Sequence, residues 1–496
     1  MNRLFTSVIV TICAIVCAFA EDGMRSMTLQ PTLLQNLSII DYKEAGTAQF
    51  EGTIYCKSRR RIESSNIEPK AFSVKTDRAG QLAELLGADI NLIDELHVEG
   101  PINSKDFNTL WSSSFHGKLK VIDLGKAFVE NNIIPDHAFF HTNEQVDWET
   151  LTITTIWLEK LVLPEDITEI GELAFAYATS LSEINFPASL RVIGEAAFTD
   201  CIKLTSDKLK FGDNLEKIGS QAFYQCLGLT DAIHLPESIK SIYDGAFYHC
   251  KITDINLPAS LEYLGDMAFA GSKLQKVILP DDCYLDAYGG QFYNSFDLTE
   301  VHLPDNLAFV PSQVVGGCTS LKTINVPQKA VVIGEFAFDN TEIEHIDLPP
   351  TVTTIEQDAF QSCNQLKTIV LPPSLSKIGN NVFNLCYGLQ SIYCMAEQPP
   401  VCTKGLYDES NPFTSLDTTM PVYIPVGSRE KYLSASGWNY FSNFIETADF
   451  PYGGIEDVTI DQKEQDGTTY DLFGRKVKTL VPGTIYVRHG RKFIQK

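Results

Sequence analysis

Few residues in this sequence stand at spacings that could do chemistry. His137 and His141 lie four apart in His-Ala-Phe-Phe-His, which on a helix would present two imidazoles to one metal ion. No carboxylate or third histidine stands at a helpful spacing, and Phe139-Phe140 between them reads as an ordinary turn, so no metal is assigned there. Asp281-Asp282 and Asp305-Asn306 each follow a proline; loop oxygens of that kind can take calcium weakly, but they assign no metal either. A phosphate-cradling glycine loop, a Gly-x-Ser-x-Gly elbow and a His-Glu-x-x-His pair are all missing from the sequence. The expectation is of a protein that is not an enzyme, with no catalytic residues and no cofactor.

Thiols are more regular. Cys201, Cys226, Cys250, Cys363 and Cys386 each follow a phenylalanine by three residues, and Cys318 follows Val315 by three. Ala178, Ser272, Ser295 and Thr341 take the same position elsewhere. Aligned thiols invite metal or redox chemistry, yet exchange with Ala, Ser and Thr says that the position demands small size, and a buried thiol behaves as a small apolar group. Cys394 and Cys402 flank Gln398-Pro399-Pro400 and are spaced either to close a small disulfide loop or to remain free.

The elements that carry these residues are repeats. Phe175, Phe198, Phe223, Phe247, Phe269, Phe292, Phe338, Phe360 and Phe383 follow one another at steps of 22 to 25 residues, with one double step of 46 whose missing member is Val315. Five residues before the phenylalanine stands Ile170, Ile193, Ile218, Ile242, Leu264, Ile333, Ile355 or Ile378, usually followed by glycine. Such a glycine implies either a positive φ or close backbone approach. Downstream runs Leu-x-x-Ile-x-Leu-Pro, as in Leu321/Ile324/Val326/Pro327 and Leu366/Ile369/Leu371/Pro372. Alternation in Ile-x-Leu puts both aliphatic groups on one face of a strand, and proline ends it because it cannot donate to the ladder. One turn buries little alone, so neighbours must stack at the strand spacing of about 4.8 Å.

This unit resembles the BspA-like leucine-rich repeats of Bacteroides-type surface proteins, over roughly residues 150–395. The resemblance implies a repeat solenoid, a right-handed BspA-type leucine-rich repeat stack with a parallel β-sheet, capped at both ends. Residues 21–78 show no repeat and are assigned as an irregular amino-terminal cap. The solenoid is placed at 79–402, with degenerate first repeats at 79–150, where a helix-like Ala79–Gly87 leads into two strands. Pro421–Gly427 and Gly437-Trp438 resemble the family's carboxy-terminal cap, placed at 403–446. A polar linker at 447–469 and a small basic β-rich module at 470–496 follow, the module holding seven Lys and Arg against Asp471.

Residues 1–20 carry Arg3, an apolar run from Leu4 and Ala18-Phe19-Ala20, the pattern of a cleavable export signal. No later stretch is apolar enough to span a bilayer. With 63 acidic against 39 basic side chains the chain is at −24, which excludes a nucleic-acid binder as the first reading. Outward positions on the strands offer a candidate ligand-binding face: Glu183, Asn185, Asp254, Asn256, Glu300, His302, Asn325, His345 and Asp347. Solenoids use such faces for binding, and the resemblance implies adhesion to an extracellular-matrix or surface macromolecule, protein or glycan, by an exported cell-surface or secreted protein. The alternatives are a spacer of the cell envelope without a specific ligand, or an enzyme built in residues 21–78 or 403–446.

Overall fold

The computed structural model describes residues 71–147, 152–403 and 411–451, with the backbone of the short strands Tyr55–Lys57, Thr469–Tyr470, Ile485–Arg488 and Arg491–Ile494. The proposed export signal lies outside the described residues, as does most of the linker. Two compact units divide the chain, Met1–Lys273 and Leu274–Lys496.

Within the first unit the repeats pair at two positions, one of which narrows after Glu183–Ile184 to an isolated bridge between Ile233 and Ile255. The anticipated one, through Ile-x-Leu, appears as Glu183–Ile184, which joins Lys160–Val162, Val121–Val129, Glu95–Ile102 and Ala71–Lys75 in a parallel sheet. A second ladder was not anticipated. It runs through the isoleucine before the glycine, with Ile170, Ile193, Ile218, Ile242 and Leu264 paired in register on parallel strands. The glycines between this ladder and the phenylalanines are needed for close approach: a Cβ on Gly194 would lie 2.7 Å from the carbonyl carbon of Gly171. Positive φ falls instead on the residues two before and two after each phenylalanine, as at Ala196 (50°) and Asp200 (58°). These residues bend the chain so that alternate N–H groups face the next turn: Ala196, Phe198 and Asp200 donate to the carbonyls of Ser220, Ala222 and Tyr224 at 2.7–2.8 Å.

Between the ladders lies the core. Phe139, Phe175, Phe198, Phe223, Phe247 and Phe269 are all fully buried. Phe198 and Phe223 stack at 5.2 Å with 3° between their planes. Burying one such ring contributes roughly 2–3 kcal/mol. The column begins one member earlier than the periodicity shows, because Phe139 stacks on Phe175 across a 36-residue step.

Two features add to the amino-terminal region. Ala71–Lys75 joins the parallel sheet beside Glu95–Ile102, while Tyr55–Lys57 pairs with Thr152–Thr154 in a separate three-stranded sheet, so the segment read as irregular holds strands. Helix Ser104–Phe115 then closes this part of the core. Asn103 caps it in a capping box with Asp106, whose buried carboxylate also accepts N–H bonds from Gly80 and Leu82 at 2.6 and 2.8 Å. One carboxylate thereby satisfies donors at two helix starts.

The second unit repeats the design. Val310, Ile333, Ile355, Ile378 and Cys402 form one parallel ladder. Thr368–Leu371, Ser391–Cys394, Val422–Pro425 and Phe444–Thr447 form another, which continues the sheet through the segment expected to be a cap. Phe413 extends the phenylalanine column past Phe383 at 6.2 Å, and Trp438 covers its exposed side. Trp438 Nε1 donates to Pro400 O at 2.9 Å, anchoring the closing element. At the far end, Thr469–Tyr470, Ile485–Arg488 and Arg491–Ile494 pair antiparallel. Among the described residues no helix is long and apolar enough to cross a membrane.

Candidate binding face

Outward positions on the strands divide by structural role. Asn185 accepts from Leu163 N at 2.7 Å and donates to Leu163 O at 3.1 Å. Asn256 makes the same pair of bonds to Leu235, and Asn325 to Leu303. An amide side chain therefore replaces one strand-to-strand exchange just where proline ends the ladder. These three asparagines are clamps between turns; Asn256 is also exposed and Asn185 half-buried, whereas Asn325 is closed off from a ligand. Asn325 is only 3% exposed.

The acidic members keep their charges outward. Glu183 meets Lys160 at 2.9 Å, directly opposite it on the neighbouring strand. In the second unit Glu300 meets Lys276 at 2.8 Å in the same register relation. The Lys160 hydrogen bond and charge hold the Glu183 carboxyl below the usual range, and those of Glu183 hold Lys160 above it. Exposed pairs of this kind add little to stability, so a partner can replace them at small cost to the fold. Asp254 is exposed in the first unit; His345 is exposed and Asp347 half-buried in the second.

The first unit has a broader charged face than the periodicity suggests. Glu95–Ile102 and Val121–Val129 are eight and nine residues long, where most repeat strands have two or three. His97 lies between Glu95 and Asp123, with ring nitrogens 3.1 and 3.0 Å from their oxygens. Lys75 and Glu99 pair at 2.8 Å beside them. The alternation Glu95-x-His97-x-Glu99 forms the wet side of this strand, in a stretch where the repeat pattern is weak.

The remaining candidates resolve simply. His137 has a positive φ in a turn, and His141 stacks on Trp111 at 3.9 Å, so the pair shares no helix face. Burial holds the His141 imidazole below the usual range. The nine described cysteines are free. The Cys394–Cys402 loop is not closed: the Cys394 sulfur takes the Tyr432 hydroxyl at 3.2 Å, and Cys402 packs against Gly437. Burial pushes Cys394 to about 11 and Cys402 to about 12, so both hold their protons.

A family model described as BspA type leucine rich repeat region matches in six copies over residues 154–275 and 286–404. Among solved structures, the chain is similar to a leucine-rich repeat protein from Bacteroides ovatus at 26% identity, covering 49% of this chain and 82% of that one, with a TM-score of 0.33. It is similar to a leucine rich cell surface protein from Faecalibacterium prausnitzii at 21% identity, covering 64% and 83%, with a TM-score of 0.39. It also resembles the pneumococcal vaccine antigen PcpA at 17% identity, covering 72% and 79%, with a TM-score of 0.31. No curated protein matches.

Proposed function

The repeat region of this chain is a BspA-type leucine-rich repeat, and from that premise we propose that the protein binds a macromolecular partner along the charged outward row of its strands. The observation that carries the reading is the division of labour on that row. Asn185, Asn256 and Asn325 hold turns together, whereas Glu183 and Asp254 on the first unit and Glu300 on the second carry charge on the outward side of their own unit, Glu183 and Glu300 each beside a lysine. Within either unit, a partner laid across several turns would meet a mixed row of outward charged and polar groups at a strand spacing of about 4.8 Å, which suits an extended protein segment or a glycan chain.

The finer reading is an exported, surface-held or secreted adhesin without catalytic activity. Its support is the apolar leader in residues 1–20, the acidic body and the kinship of the repeats. Recognition by charge on a rigid face fits fast, salt-sensitive attachment.

A screen of the full chain against matrix glycoproteins, mucins and glycans by surface plasmon resonance tests the proposal. Saturable binding that weakens with salt supports it. Failure to bind any member would instead favour the spacer reading.

A further inference from the structure

Independently of the binding reading, we propose that Asp281, His302 and Asp305 form a divalent-metal site on the second unit, for an ion of the zinc, cobalt or nickel class. Their ligand atoms all lie within 4.8 Å of one another. His302 Nε2 and Asp305 Oδ1 are 4.0 Å apart. Metal bonds of about 2.0–2.2 Å place the ligand atoms of one ion roughly 3–4 Å apart, so modest side-chain rotations close the cluster.

The repeat brings the three together. Strands Lys276–Ile278 and Glu300–His302 pair in parallel with Ile278 opposite His302. Pro280 and Pro304 then turn the chain out of each strand, placing Asp281 and Asp305 beside the imidazole. In sequence these residues belong to two separate features, loop acids and strand face; only the register between turns joins them.

Several supports fix the donors. Buried Asn325 clamps Leu303 and also donates to Asp305 Oδ1 at 3.2 Å, orienting that carboxylate. Asn306 Nδ2 reaches the Asp281 carbonyl and Asp282 Oδ1, both at 3.3 Å. Such outer partners commonly set metal affinity over a range of about 10–100-fold. The His302 side chain is 17% exposed and that of Asp305 31%, so two of the three donors are partly shielded from water. One imidazole among two carboxylates selects the class: calcium and magnesium prefer all-oxygen shells, whereas nitrogen favours zinc, cobalt and nickel. Three protein donors leave a position open to water or to a side chain of another molecule.

The test uses the full chain, stripped with chelator, titrated with Zn2+ by calorimetry and with Co2+ by visible absorption. One ion per chain with a micromolar dissociation constant is expected, with Ca2+ unable to displace it. His302→Gln and Asp305→Asn, checked for folding by thermal melt, should each weaken binding about tenfold or more. His116→Ala, in the other unit, should leave it unchanged. Unaltered affinity in both site variants, equal occupancy by Ca2+, or no saturable binding at millimolar Zn2+ would each overturn the proposal.

Discussion

The Cys226 thiol donates to the main-chain oxygen of Phe198, one turn back, at 3.0 Å. The contact recurs from Cys250 to Phe223, Cys318 to Phe292, Cys363 to Phe338 and Cys386 to Phe360. Each thiol thus fills a space that admits only a small side chain and, as at Phe198 O, adds a bond to a carbonyl that already accepts a main-chain N–H from three residues on. Thr341 stands at the same position, but its hydroxyl donates to Phe338 O of its own turn at 2.9 Å, the carbonyl that Cys363 also reaches.

That relationship orders the effects of substitution at Cys226. Serine keeps size and donor and should cost least. Alanine loses the donor, and its cost should be about 1 kcal/mol. Valine adds bulk to a closed site and should cost about 1–3 kcal/mol. Urea unfolding of the three variants checks the order. Burial pushes Cys318 and Cys363 to about 12, so a thiol reagent at pH 8 should label neither until the protein unfolds.

Asp339 gives a pH signature. Burial, helped by the charge of Asp358, raises its carboxyl to about 6, and its Oδ1 has no hydrogen-bond partner. The folded state therefore holds this proton more tightly than the unfolded chain, whose carboxyl titrates near its ordinary value of about 3.9. The contribution is present below pH 4 and is lost as pH rises through about 6. Asp339→Asn should raise stability at pH 7 by about 1–2 kcal/mol and leave it unchanged at pH 4. Denaturant midpoints at the two pH values decide this.

Asn325→Ala removes both clamps on Leu303 and leaves a buried N–H and C=O without their partner. A loss of about 2–3 kcal/mol is expected. An unfolding curve shifted by less than about 0.5 kcal/mol would contradict its role as a clamp.

Much of this was legible in the sequence, and the reasons for the rest are physical. Phe175 to Phe383 announce the stack because a buried column needs the same ring at each turn. Phe139 and Phe413 escaped because steps of 36 and 30 residues hide the period while the rings still stack. The second ladder, through Ile193 and its neighbours, was hidden because two-residue strands leave no alternation to read. Asn185 and Glu183 look alike as polar strand residues. Only the distance to Leu163 separates a clamp from an outward charge. The Asp281–His302 juxtaposition depends on register across 21 residues, which no local pattern encodes.

The central claim concerns the outward charged row, and charge reversal there tests it most directly. Glu183→Lys, Asp254→Lys and Glu300→Lys would be combined in the full chain, and affinity measured for the ligand selected by the screen, with a thermal melt alongside. A drop of about tenfold or more with an unchanged melting temperature is the predicted result, since exposed charges contribute little to folding but steer and hold a charged partner. Undiminished affinity in the triple variant would contradict the account and place binding on another surface.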